Sequence, residues 1–336
     1  MPSTPQTLLD LLRTLSLVDC DTLDVEVAKQ LGPFVDCTSN QAIAYNELIK
    51  TDAEGKLVNH ELIADSIAYA KSKTNEFLNV NVNEVAVEAM TIKLAHRIAP
   101  YLTGYSHIQT NPKYSYDTEK TLANARRLVA ISKDLDPSFD TKKLCIKIPT
   151  TWEGVQACKE LESEGIASLA TAVNSLPQAI LASHFGCTYI GLYVNELRVH
   201  FEESYVDDNK GFQVGALAQS FYKRNEQRTQ VMAASLISIH EVMMLAGVAH
   251  ITVSLPLLHE LSKTAASSWE GDVGSVFKTV SSETQDIESA SAGDEKTWRL
   301  TFSRDQGGKS EEKLNDAIKL FSEKQDALED FVGTQL

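Results

Sequence analysis

The sequence predicts a single α/β domain over residues 1–336, a (β/α)8 (TIM) barrel with extra N- and C-terminal helices. Three observations predict it: short apolar runs recur eight times, helical stretches separate them, and no Gly-x-Gly-x-x-Gly or Walker loop follows an early strand. A length of 336 residues would allow two domains, yet barrels of this kind often run this long as one. The competing doubly wound sheet lacks its glycine-rich mark.

The apolar runs read as strands over 16–21, 34–39, 103–110, 143–149, 167–173, 187–194, 229–235 and 250–255. The insertion 40–100 is helical in pattern and long enough for two or three helices. After the fourth strand, Thr150 with Glu153 makes a capping-box spacing, Val155, Cys158 and Leu161 follow at helical intervals, and Gly165 closes the helix. Similar patterns place helices at 115–135, 176–186, 238–247 and 256–265. The stretch 264–309 is rich in Ser, Gly and charge and reads as loops and short elements. A last amphipathic helix over 311–333 is predicted to pack on the barrel through Leu314, Ile318, Leu320, Phe321, Leu328 and Phe331.

Lys147 is the most informative residue. In Lys-Leu-Cys-Ile-Lys-Ile-Pro (143–149), Leu144, Ile146 and Ile148 share one face, while Cys145 and Lys147 share the other. If the second face lines a barrel, an ammonium is carried into low dielectric. Desolvation then favours the free amine, the form that attacks carbonyl carbon. Alone, the local sequence favours a lysine at the strand's end that reaches water or a carboxylate.

A formal net charge of -15 argues against nucleic acid and anionic membrane surfaces as partners, while leaving room for a local basic pocket. The partner expected is a small-molecule carbonyl substrate. Cys20, Cys37, Cys145, Cys158 and Cys187 show no paired metal spacing and read as buried thiols in a reducing compartment. His184, His200, His240 and His250 show no ligand spacing either, so no metal site is expected. The opening Met-Pro-Ser-Thr-Pro-Gln-Thr lacks a basic n-region and no apolar run reaches bilayer length, which makes the cytoplasm the default location.

In a barrel, chemistry gathers at the C-terminal ends of the strands. The candidates there are Asp21, Asn40, Gln109, Lys147, Thr171, Tyr193 and Ser235. At these residues the chain resembles the transaldolase family. Ile-Lys-Ile-Pro-Thr-Thr-Trp-Glu-Gly-Val-Gln-Ala (146–157) with Leu-Glu-Ser-Glu-Gly-Ile (161–166) looks like that family's lysine strand and following helix. Val-Asp-Cys-Asp-Thr-Leu-Asp (18–24), Asp-Cys-Thr-Ser-Asn (36–40), Tyr-Ser-Tyr-Asp-Thr-Glu (114–119) and Val-Met-Ala-Ala-Ser (231–235) extend the likeness over nearly the whole chain. The resemblance implies a lysine Schiff base at Lys147, with Asp21 as acid and base. It implies that Asn40 holds lysine and substrate, Thr171 a catalytic water, and that Ser235 lines the pocket. It also implies no metal or organic cofactor, since the iminium is the electron sink, and a homodimer.

Several matched positions depart from the family pattern. Glu196 and Ile237 stand where its two phosphate-gripping arginines fall, Leu169 replaces a pocket asparagine and Gly191 a pocket serine. A glutamate facing a phosphate would add repulsion of about 1–4 kcal/mol at contact. Arg198 or Arg228 is the available replacement. Gln109 and Tyr193 match the pair that the fructose-6-phosphate aldolase branch uses around its water, which places proton transfer on Tyr193 and Asp21.

Each residue also has a plainer reading. Asp21 could cap the helix starting near Asp24, Asn40 the helix starting at Gln41, and Thr171 and Tyr193 suit any strand and core. Three functions stay open: a Schiff-base aldolase of a non-phosphorylated carbonyl compound, an ordinary transaldolase moving dihydroxyacetone between sugar phosphates, and a non-catalytic binding protein.

Overall fold

Eight parallel strands close on themselves in sequence order, β1 through β8, with β1 paired to β8. The computed structural model describes residues 5–77, 79–278 and 293–335. The chain runs α1 (Leu8–Arg13), β1 (Leu17–Asp21), α2 (Val25–Leu31), β2 (Cys37–Thr38), α3 (Gln41–Leu48), α4 (His60–Ser72), α5 (Val82–Ile98), β3 (Ser106–Gln109), α6 (Thr118–Leu135), β4 (Leu144–Pro149) and α7 (Trp152–Ser163). It continues with β5 (Ala167–Val173), α8 (Leu176–His184), β6 (Tyr189–Tyr193), α9 (Phe212–Arg224), β7 (Gln230–Ala234), α10 (Ile239–Met244), β8 (His250–Ser254), α11 (Leu255–Lys263), α12 (Ser275–Lys278), α13 (Glu295–Arg304) and α14 (Lys309–Gln335).

The two-residue alternation of the strands builds two separate apolar layers. Leu144, Ile146 and Ile148 point outward into the core between strands and helices. Cys145 points inward and packs with Ala167, Leu169, Tyr189 and Met232 in a cluster of its own inside the barrel. Burying each isoleucine contributes about 1.5–3 kcal/mol, so reversing the register of β4 would be costly. Lys147, two residues beyond Cys145, is thereby fixed on the inner face.

Helices start directly after strands because capping side chains wait there. Asp24, Asn40, Asp117, Thr151, Ser175 and Ser238 each accept a backbone N–H from the first turn that follows. Thr151, not Thr150, caps α7. Thr150 instead donates its hydroxyl to the Thr171 carbonyl at 2.7 Å, and Glu153 pairs with Arg299, so the capping-box reading fails. Gly165 ends the helix as expected, at φ +78.

The second strand is shorter than the predicted 34–39 because Asp36 diverts its neighbours. The Asp36 carboxylate accepts the Tyr105 N–H at 2.7 Å, replacing a ladder bond. A Cβ on Gly104 would sit 2.0 Å from Asp36 Oδ1, so only glycine fits there. The stretch 264–309 holds more order than its composition predicts. Asp294 caps α13, Trp298 and Phe302 bury one stripe, and Glu295 pairs with Arg299 one turn on at 2.8 Å. Residues 279–292 of that stretch lie outside the described residues.

The last helix, α14, is about 40 Å long at 1.5 Å per residue. Leu314, Ile318, Phe321 and Leu328 are buried, and Leu320 and Phe331 are half-buried against the core. It packs on α3, α5 and the 3-10 turn Leu197–His200, which brings it across the C-terminal ends of the strands. Among the described residues, no helix is long and apolar enough to cross a membrane.

Candidate active site

The strand ends surround a cavity of about 420 Å³. Asp21, Asn40, Lys147, Tyr193, Ser235, Thr252 and Ser254 supply its polar lining, from six strands or the residues just past them. Ile43, Leu197, Phe201, Leu236 and Phe321 make apolar walls, with Asn46, His200 and Lys324 among them. The size suits a small ligand.

Lys147 is 4 % exposed and faces this cavity. Burial pushes its amine below the ordinary lysine range, and Asp21 pulls partly the other way. Among the described residues, no hydrogen bond or ion pair reaches its Nζ, so the nitrogen is not tied to a carboxylate. Asp21 does not cap α2, a role Asp24 fills. Its Oδ1 accepts the Thr38 hydroxyl at 2.6 Å, and the Thr38 and Thr252 hydroxyls are 2.6 Å apart. With Thr38 donating to Asp21, Thr252 donates to Thr38. That chain fixes the carboxylate's orientation at the junction of β1, β2 and β8.

Asn40 caps α3 through Ile43 N–H at 3.0 Å, its plainer reading, and also lines the cavity. Tyr193 lines the cavity, and burial pushes its phenol upward, so at neutral pH it keeps its proton. Thr171 lies outside the lining but beside Tyr193, its buried Oγ1 interacting with the phenol and partly offsetting the upward push of burial. Gly191 makes this approach feasible, because a Cβ there would lie 2.9 Å from Thr171 Oγ1. Ser235 holds a left-handed backbone at φ +58, a strained state for serine. Asn195 clamps it by donating Nδ2–H to its carbonyl at 2.9 Å.

Other predicted site residues lie outside the cavity lining. Leu169 is the register partner of Lys147 on β5 and belongs to the inner apolar cluster. Gln109 is register partner to Lys147, with both amide heteroatoms buried and unpartnered. It borders a separate cavity of about 20 Å³, the size of one water. Glu196 does not face the cavity: its carboxyl accepts from the Tyr205 hydroxyl, and burial raises its pKa. Direct repulsion of a phosphate by Glu196 is therefore absent. Ile237 is 45 % exposed on the loop after β7, and its N–H goes to Glu241 at 2.9 Å.

Neither candidate replacement arginine supplies a free fork. Arg198 holds Glu202 through two bonds of 2.9 Å and stacks on Tyr205. Arg228 binds Glu162 at 3.0 Å and the Gly186 carbonyl, both at the opposite end of the barrel, before β5 and β6.

Below the cavity, two aspartate–histidine pairs fill the barrel. Asp19 bonds His250 at 2.9 Å and Asp36 bonds His107 at 2.8 Å. Burial opposes a charge on His250, but Asp19 outweighs it and carries the imidazole above its usual value. Asp19, Asp36 and His250 bring ligand atoms within 4.8 Å of one another, the geometry of a metal site. All four carboxylate oxygens already hold hydrogen bonds, the other two to Asp36 N–H and Tyr105 N–H, so the group fits a hydrogen-bonded plug.

His200 and Lys324 are among the lining residues that the sequence did not single out. His200 Nε2 lies 2.9 Å from Ser235 Oγ, and burial lowers its pKa, leaving a neutral imidazole at pH 7. Lys324 follows Phe321 by three residues, a spacing that puts it on the same helix face.

A closed barrel with a buried, unpaired lysine and a carboxylate on one chamber has the equipment of a class I aldolase or transferase. The family model described as Transaldolase/Fructose-6-phosphate aldolase matches residues 18–332, and the chain belongs to that family. It is similar to the transaldolase of Rhizobium etli, 28% identical over 98% of this chain and 97% of the relative. The transaldolase of Glaesserella parasuis is 30% identical over 77% and 80%. A solved structure of a putative fructose-1,6-biphosphate aldolase from Coccidioides immitis aligns at 14% identity with a TM-score of 0.40, over 90% of this chain and 96% of that one.

Proposed function

We propose that this enzyme breaks or forms a C–C bond in a non-phosphorylated carbonyl compound through a Schiff base on Lys147. The Lys147 amine adds to the carbonyl carbon and loses water, giving an iminium. Asp21 takes the proton of the hydroxyl next to the scissile bond; the bond's electron pair flows into the iminium, an aldehyde departs and an enamine remains. Tyr193, protonated and lining the cavity, donates a proton to the enamine carbon in this reading. Gln109 has two amide heteroatoms free to orient the water that hydrolyses the resulting iminium. Thr171, beside Tyr193, positions the phenol. Asn40 and Ser235 contact the substrate in this reading.

The observation that carries it is the pairing of a free buried amine with a lining that holds no guanidinium. Where the family's arginines fall, Glu196 is turned into its own loop and Ile237 offers hydrocarbon, while Arg198 and Arg228 are engaged elsewhere. Phosphate recognition would need the bidentate fork that these changes remove. The names of the relatives favour the second reading, an ordinary transaldolase.

Borohydride trapping with a panel of neutral ketones, aldehydes and fructose 6-phosphate, followed by peptide mapping, separates the readings. Adducts on Lys147 with neutral ketones and none above background with fructose 6-phosphate are expected. Transfer of dihydroxyacetone from fructose 6-phosphate to erythrose 4-phosphate at ordinary rates would establish the second reading instead. No adduct with any carbonyl compound would leave a binding protein.

A further inference from the structure

Resting on the Schiff-base reading, we infer that Lys324 binds a carboxylate at the end of the substrate remote from Lys147, so that the enzyme takes oxo acids. Lys324 lies on α14, half-buried, and lines the same cavity as Lys147. Its ammonium is 5.1 Å from the centre of the Tyr45 ring and 5.8 Å from that of Phe201. Two aromatic faces hold the ammonium by cation–π attraction and take up none of its three N–H donors in hydrogen bonds to oxygen. Among the described residues, no carboxylate pairs with it. The positions one turn away on its own helix are Leu320, Phe321, Ala327 and Leu328, none of which accepts a hydrogen bond through its side chain. Asp326 is engaged by Lys113. Elsewhere on α14, Lys309 is paired with Glu312 at 2.7 Å and Lys313 with Asp207 at 2.8 Å, while Lys319 is exposed and, among the described residues, without an ion pair.

The lining selects the kind of anion. Besides Lys147 and Lys324, its titratable side chains are Asp21, Tyr193 and His200, and His200 is neutral at pH 7. With the iminium formed on Lys147, its positive charge balances Asp21, and the Lys324 ammonium balances one carboxylate. A phosphate dianion would leave uncompensated charge in a chamber that already holds Asp21, without a guanidinium to grip it. Ile43, Leu197 and Phe321 line the same chamber with hydrocarbon, which suits an apolar spacer between carbonyl and carboxylate.

The test uses methyl-ketone carboxylates of increasing chain length, the methyl esters of the same acids, and phosphate monoesters of matched hydroxy ketones. Half-saturating concentrations for borohydride trapping at Lys147 are measured in the parent protein, Lys324→Met and Lys324→Glu, with thermal melting confirming that each variant is folded. In the parent, an acid is expected to bind better than its ester. In Lys324→Met that preference falls about tenfold, the usual value of a charge-assisted bond, and in Lys324→Glu it reverses. An unchanged acid-to-ester ratio in both variants overturns the inference. So does a larger Lys324-dependent gain for the phosphate esters than for the acids. Adducts that form without discriminating acid from ester remove this inference alone, whereas no adduct on Lys147 in the parent removes the Schiff-base reading beneath it.

Discussion

Replacing Lys147 with methionine keeps an unbranched side chain of similar length and removes the amine. Because burial depresses that amine from its ordinary value of 10.5, the folded state binds fewer protons there than the unfolded chain does. The parent protein carries a stability penalty that is complete below the folded pKa. It fades as pH climbs from the folded pKa toward 10.5, where both states are neutral. No hydrogen bond from Nζ is lost in exchange. Lys147→Met should therefore be the more stable protein at pH 7, by about 1.4 kcal/mol for each unit of depression. Its advantage should shrink by at most about 1.4 kcal/mol per pH unit once pH passes the folded value. Urea unfolding of both proteins from about pH 6 to about pH 9.5 reads the difference directly. A gap between them that stays constant over that range, or a methionine variant less stable at neutral pH, would refute the claim of a desolvated amine. The same variant should lose every borohydride-trapped adduct while its circular dichroism is unchanged.

Asp21→Asn should slow turnover by about 10²–10⁴-fold and still form the trapped adduct, a split that steady-state kinetics and mass spectrometry resolve; full turnover would remove Asp21 from the mechanism. Arg127 bridges buried Glu84 and Glu88 at 2.6 Å, tying α6 to α5. Arg127→Met should cost about 3–5 kcal/mol in urea unfolding, because two carboxylates stay buried without their cation, and adding Glu84→Gln and Glu88→Gln should recover most of the loss. Glu196→Arg with Ile237→Arg should raise affinity for phosphorylated sugars, measured by calorimetry. No gain would mean that these positions do not correspond to the family's phosphate grip.

The barrel was readable from eight apolar runs separated by helices, and within it the inward face of Lys147 followed because alternation in 143–149 buries Leu144, Ile146 and Ile148 on the other side. Asn40 was readable twice, as a cap and as a lining residue, since capping puts it at a strand end by necessity. The direction of Glu196 was not readable. It is set by Tyr205 and by the Asp207 carboxylate on its own N–H, a loop closure that no local periodicity encodes. The Asp21–Thr38–Thr252 chain and the Asp19–His250 bond cross the seam where the last strand meets the first, joining residues far apart in sequence. His200 looked like one more unplaced histidine, and only the turn after β6 brings it to Ser235. Lys324 carried a signal, a charge on the apolar face of its helix, which amphipathic counting treats as noise.

The crossing of α14 over the strand ends divides labour within the gene. Alterations on β4 or β1 disturb both ring closure and reactivity, so drift there is punished twice. Codon 324 sits on a partly wet helical surface, where most exchanges alter folding by only about 0.5 kcal/mol or less. Under the proposed roles of Lys147 and Lys324, a lineage can acquire new molecular tastes by editing its final helix while the reacting nitrogen and its immediate surroundings pass unchanged from ancestor to descendant.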